Sequence, residues 1–231
     1  MATTRPDDLS LLDGLATTRA IRRYTNDPVT DDDLATMMFS ATRAPTGSNR
    51  QTFRFLVLRD GPVAQEAKQL LGESFRNGWN EKRSADSYDR NAEDNTPKAR
   101  MARTMQHFVD HFEETPVVVL ACVKIRHGGL SDGGSIYPAC QNLLLAARGL
   151  GYGGVLTGWH ATVEDELRAL TGIPDTHAIA ATIPIGVPQG NHGPVRRRPL
   201  KELVFDDVWD GGAAWAVDPP GTNFTQAGPP T

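Results

Sequence analysis

Cysteine is scarce. The 231 residues contain two, too few for a disulfide framework, and no CxxC suggests dithiol or metal chemistry. Cys122 lies in an apolar run and Cys140 on the apolar face of a predicted helix, so both are expected to be small buried hydrophobes. No apolar run reaches transmembrane length, and the N-terminal MATTRPDDLS lacks the apolar core of a secretory signal. A soluble, cytoplasmic protein is the expectation. Basic charge is not in excess either. The formal net charge is −4, which argues against a nucleic-acid partner. A dinucleotide fingerprint is missing: Gly149-x-Gly151-x-Gly153-Gly154 follows a predicted helix, the reverse of the strand–turn–helix order. His107 and His111 stand four apart without the glutamate of an HExxH motif, so no metal is expected.

What is present suits one domain, at most two, with 39% hydrophobic residues and no internal repeat. Leucines 9, 11, 12 and 15 mark a short helix. Thr30 and Asp33 look like a capping pair ahead of the stripe Leu34, Met37, Met38 and Ala41. FRFLVL (53–58) reads as a strand, followed by a helix over about 62–75. The charged stretch 76–103 reads as a partly helical surface insertion leading into a helix with His107, Phe108, His111 and Phe112. PVVVLACVKI (116–125) reads as a buried strand. The best helix follows, with Ile136, Ala139, Cys140, Leu143, Leu144 and Ala147 on one face. A glycine-rich strand (152–158), a helix begun by Thr162 and Asp165, and a last strand (178–187) complete the order. The Pro/Gly-rich tail 210–231 is expected to be an arm or disordered. The fold class is therefore α+β, a mixed sheet flanked by helices.

Three segments carry the chemistry. Thr18–Tyr24 (TRAIRRY) places arginines at 19, 22 and 23, and guanidinium forks suit a phosphate. Ala44–Phe53 (APTGSNRQTF) is an irregular loop whose Asn49 and Gln51 amides offer donor and acceptor edges to a flat heterocycle. Pro194–Leu200 (PVRRRPL) supplies three further arginines. Each alone also fits an ordinary basic face or turn.

In order and spacing, these segments together resemble the signature of the FMN-dependent nitroreductase family, which includes iodotyrosine deiodinases and the flavin-cleaving enzymes of cobalamin ligand synthesis. PVVVLACV resembles the family's central strand. SIYPACQNLLLAARGLGYGGVLTGWH resembles its long helix and next strand, and TGIPDTHAIAATIPIGVP its last helix and strand. The likeness spans roughly residues 12–206. It implies an intertwined homodimer with FMN at the interface. Residues 8–209 would form the FMN-binding domain, with 76–112 as a variable lid-like insertion and 210–231 as the tail.

The resemblance also implies roles. Arg19 and Arg22 would contact the FMN phosphate and the pyrimidine end of the flavin. Ala20 stands where a serine is usual, which removes one hydroxyl contact. Pro45, Thr46, Gly47, Asn49 and Gln51 would reach the flavin from the partner subunit, with Thr52 and Phe53 in place of the usual Pro and Trp. Leu156, Thr157 and Gly158 would lie beside the reactive N5 edge, and Arg197, with Arg196 beside it, would hold the phosphate. Trp79, Tyr88, Phe108 and Phe112 are candidates for stacking on flat substrates. NAD(P)H would act as a transient reductant in a ping-pong cycle that passes hydride through flavin N5 to acceptors such as nitroaromatics or quinones. That chemistry needs no protein nucleophile, acid or base. Reductive dehalogenation, flavin fragmentation and non-catalytic FMN storage are the alternatives.

Overall fold

A computed structural model describes residues 9–88 and 94–222. At its centre is strand β2 (Val117–Lys124), buried except at its last residue. Side chains of a strand alternate between faces. Val117, Val119, Ala121 and Val123 accordingly join one hydrophobic cluster, and Val118, Leu120 and Cys122 join the other. The run is continuously apolar because helices cover both faces of the sheet. The two cysteines fall in different clusters, and burial pushes their thiols up, to about 11 for Cys122 and about 12 for Cys140.

β2 pairs with β1 (Phe53–Leu58) on one side and β4 (His177–Gly186) on the other. β4 also pairs with the two-residue β3 (Gly153–Gly154), giving the order β1-β2-β4-β3. Every neighbouring pair is antiparallel, so the expected mixed sheet is an antiparallel one among the described residues. The reason is topological. β2 and β3 run in the same direction, joined through helix α5 (Gly129–Gly149), but β4 inserts between them and separates the parallel pair.

The face under α5 also carries helix α2 (Asp31–Ala41). Here the sequence pattern is realised closely: Ile136, Ala139, Cys140, Leu143 and Ala147 are all buried. Thr30 Oγ1 accepts the Asp33 N–H at 3.2 Å, the expected N-cap. The Asp33 carboxylate is buried and accepts the Tyr152 hydroxyl at 2.9 Å, which ties α2 to the residue just before β3. At the head of α5 the Asp132 carboxylate accepts three consecutive backbone N–H groups, from Arg126, His127 and Gly128. These bonds hold its pKa below the usual carboxylate range.

The opposite face carries helices α3 (Pro62–Ala85), α4 (Pro97–Asp110) and α6 (Glu164–Thr171), while the short α1 (Leu11–Thr17) precedes them in the chain. α3 does not stop near 75. Leu71, Phe75 and Trp79, four residues apart, continue one buried stripe through charged neighbours. The stretch after Arg76 is therefore not a surface excursion over its first part. Trp79 is 1% exposed and packs in the cluster that includes Phe75, Phe108 and Phe112. Beyond Leu203 the chain takes irregular turns. Trp209 is 84% exposed there, and the Trp215 indole N–H donates to Asp206 Oδ2 at 3.0 Å. The N-terminal MATTRPDDLS lies mostly outside the described residues, as does the tail beyond 222.

Candidate functional site

The segment after α1 is extended and not helical, and it lies against β3. The Ile21 N–H donates to Gly154 O at 3.0 Å, and the Thr25 N–H to Val187 O at 2.9 Å. The Tyr24 hydroxyl donates to Ile21 O at 2.6 Å. The approach is close enough that a Cβ on Gly153 would sit 2.5 Å from Ile21 Cγ1, so a side chain there would displace the arginine-bearing segment. The loop after β4 closes over the same segment. The Val195 N–H donates to Ala16 O at 3.1 Å and the Gly193 N–H to Thr17 O at 3.2 Å.

Two segments from opposite ends of the chain thereby line one groove of about 850 Å³. Arg19, Ala20 and Arg22 stand on one side with Arg196 and Arg197. The face of α4 made by Pro97, Arg100, Met101 and Thr104 completes it. Among the described residues the lining holds five arginines and no acidic side chain. Arg22 is half-buried, and burial pushes its guanidinium below the ordinary arginine range. No described residue hydrogen-bonds it or pairs with it. A desolvated cation without a partner is costly, and an anionic or acceptor group in the groove relieves that cost. The phosphate and the polar pyrimidine edge of FMN fit this lining.

The structure does not bring the second segment to this groove. Pro45, Thr46, Gly47, Asn49 and Gln51 sit at the head of α5, where the Gly47 N–H donates to Ser135 Oγ at 3.3 Å. The loop is contorted. Ser48, Asn49 and Gln51 have φ of 53°, 51° and 50°, left-handed values that cost a non-glycine residue roughly 1–3 kcal/mol each. Thr46 Oγ1 holds the turn by accepting the Gln51 N–H at 3.0 Å. Such strain, concentrated in one exposed turn, is characteristic of functional loops. Leu156, Thr157 and Gly158 continue directly from β3. Thr157 exchanges both backbone bonds with Thr182 on β4, at 3.0 and 2.9 Å, and Leu156 is exposed.

The aromatic candidates are corrected by their burial. Trp79, Phe108 and Phe112 belong to the core, and the Trp79 indole N–H donates to Gln106 Oε1 at 2.9 Å. They pack the sheet and do not face the groove. Tyr88 is half-buried against Trp79, with ring centres 5.4 Å apart and Lys98 Nζ 5.0 Å from its own.

Two contributions were not foreseen from sequence. The α4 face was legible in principle, since 97, 100, 101 and 104 share one side of a helix. His192 carried no signal. Its Nδ1 accepts the Arg19 backbone N–H at 3.2 Å and its Nε2–H donates to Tyr152 O at 3.1 Å, which fixes one neutral tautomer. Burial, with Arg148 and Arg19 nearby, holds its pKa below the ordinary histidine value. The neutral ring is thus favoured in the folded state. Stability from this bridge is full above the unfolded pKa of about 6.5 and is lost as pH falls through the lower folded value. His160, buried between Ile179 O and Thr182 Oγ1, shifts in the same direction. Proton NMR titration of His192 should give a midpoint below about 6.5; a midpoint above it contradicts the bridge.

Comparison with known proteins identifies the relatives of the chain. The model of the nitroreductase family matches residues 15–187. A protein of Archaeoglobus fulgidus with the provisional name NADH dehydrogenase/NAD(P)H nitroreductase is 28% identical over 185 residues, 75% of this chain and 82% of that protein. The NADPH-flavin oxidoreductase of Vibrio harveyi is 24% identical over 199 residues, covering 82% and 74%. The crystal structure of a provisionally named nitroreductase from Desulfovibrio desulfuricans in complex with FMN superposes with a TM-score of 0.63 at 27% identity, over 87% of this chain and 99% of that one.

Proposed function

The chain belongs to the nitroreductase family, and on that premise we propose that it is an FMN-dependent oxidoreductase that uses NAD(P)H to reduce electron-poor acceptors such as nitroaromatics or quinones. The observation that carries this reading is the groove that Arg22, half-buried and without a hydrogen-bonding or ionic partner among the described residues, lines together with Arg19, Arg196 and Arg197. Relatives named for FMN and NADPH support it. Bound FMN would supply the two-electron hydride chemistry that links reductant and acceptor. The chain's own part is to bind and orient. Arg19 and Arg197 would hold the phosphate with charge-assisted bonds. Arg22 would place fixed positive charge at the pyrimidine edge, a preorganised electrostatic contribution that needs no proton transfer from a side chain. Leu156, Thr157 and Gly158, which continue from β3, would flank the reactive edge of the flavin.

The FMN-binding unit spans 8–209, with 76–112 as its variable segment and 210–231 as a tail. We place the Pro45–Gln51 loop on the flavin of a second copy, because within one chain it does not reach the groove. A homodimer also fits the apolar surface a single chain leaves open. Leu130 is 96% and Leu12 75% exposed, and Tyr137, on the side of α5 that carries Leu130, is half uncovered. Residues 135–149 of α5 already spend their apolar face on the core, so that other side is the surface available to a partner.

Sedimentation should give a dimer, and NADH or NADPH should be oxidised in the presence of nitroaromatics or quinones with parallel-line kinetics. An FMN-loaded, active monomer contradicts the dimer. Failure to oxidise either nucleotide with any acceptor moves the protein to FMN storage.

A further inference from the structure

The groove holds more positive charge than FMN uses. Under the reading above, Arg19, Arg196 and Arg197 face a phosphate monoester of roughly −1.5 to −2 charges, and Arg22 faces the pyrimidine edge. Arg100 is left over. It comes from α4, an element that none of the three sequence segments includes, and it lines the same groove. Its Nη1 donates to Asn95 O at 2.6 Å and to Asn95 Oδ1 at 3.2 Å. Those bonds fix the side chain on neutral oxygens without neutralising it. Its other N–H groups bind nothing among the described residues. Among the described residues no acidic side chain lines the groove to balance it.

The neighbours of Arg100 define what it would meet. Met101 and Pro97 lie beside it on the same helical face, and Thr104 adds a hydroxyl one turn on. A methionine thioether is a soft surface suited to an aromatic ring, and a guanidinium fork suits a carboxylate. An apolar shelf with a fixed cation at its edge matches a flat aromatic molecule that bears one anionic group. We propose that Arg100, with Thr104, forms a second anion subsite that selects acidic aromatic acceptors, such as nitroaromatic carboxylates, over neutral ones. This rests on the oxidoreductase reading and narrows it to a substrate class. The subsite binds and orients; it adds no chemical step.

The test uses the FMN-loaded protein and an unreactive pair, benzoate and its neutral analogue benzamide. Calorimetry measures binding, and the visible flavin band reports that the ligand lies beside the flavin. Benzoate should bind roughly ten-fold more tightly than benzamide at low salt, the worth of one charge-assisted contact. Arg100→Gln should bring that ratio to near one, Arg100→Glu should invert it, and Arg100→Lys should restore part of it. The kcat/KM ratio of 4-nitrobenzoate to 4-nitrobenzamide should follow the same order. Retained FMN and an unchanged circular dichroism spectrum show that each variant is folded.

Equal binding of benzoate and benzamide by the wild type overturns the subsite. So does a benzoate preference that survives Arg100→Gln. If that substitution instead collapses the NADPH-to-NADH ratio and spares the benzoate ratio, Arg100 serves the 2′-phosphate of the reductant and the acceptor subsite is wrong. A protein that binds no FMN fails at the earlier reading, whereas one that binds FMN and reduces neutral acceptors without charge preference fails only here.

Discussion

Arg19→Ala is expected to weaken FMN binding by one to two decades, because it removes charge-assisted bonds worth about 1.5–3 kcal/mol. Arg197→Ala should behave alike. The two residues lie far apart in sequence, but the backbone bonds of Val195 and Gly193 to the end of α1 bring them to one groove. Arg19→Lys should recover only part, since an ammonium keeps the charge but loses the fork. Riboflavin provides the control. It lacks the phosphate, so its weaker binding should be nearly insensitive to all three substitutions. Titrating both flavins into apoprotein at fixed salt checks this. Equal losses for the two flavins would mean that the arginines support the fold and not the phosphate.

Trp79→Ala should cost stability and spare acceptor choice. The indole is buried, touches Tyr88 and donates to Gln106 Oε1, which also accepts from Arg83 Nη1 at 2.9 Å. Truncating a buried tryptophan costs about 3–5 kcal/mol. For a chain of this size that corresponds to a fall in Tm on the order of 10 °C. Thermal and urea unfolding of the FMN-loaded protein measure it, and the ratio of kcat/KM between two neutral acceptors should stay constant. A variant of native stability with altered acceptor ratios would return Trp79 to the substrate side.

These two expectations mark where the sequence is readable and where it is not. The three arginine-bearing and amide-bearing segments stand out locally, because Arg, Pro, Gly, Asn and Gln cluster in stretches between regular elements. The core strand and the stripe of α5 are equally plain, since an uninterrupted apolar run and a strict three-four spacing admit few other structures. The Trp79 environment was hidden. Its stripe repeats every four residues through Lys, Arg and Glu, and charge density in a segment says nothing about the face that points inward. Phe108 and Phe112 are ambiguous in sequence for the same reason: an aromatic side chain suits a core and a stacking platform alike, and only burial separates the two. The sheet's antiparallel pairing depended on β4 entering between β2 and β3, a long-range choice that no local pattern encodes. His192 is of the same kind. Its two bonds reach Arg19 and Tyr152, and neither is near it in the chain.

The central claim is that the arginine groove holds FMN, and the most direct measurement is the identity of the flavin the protein carries. Purified protein, or apoprotein reconstituted with excess FMN, should show a flavin visible spectrum. On denaturation it should release FMN and not FAD, close to one per chain. Release of FAD, or no retained flavin after reconstitution, would contradict the account.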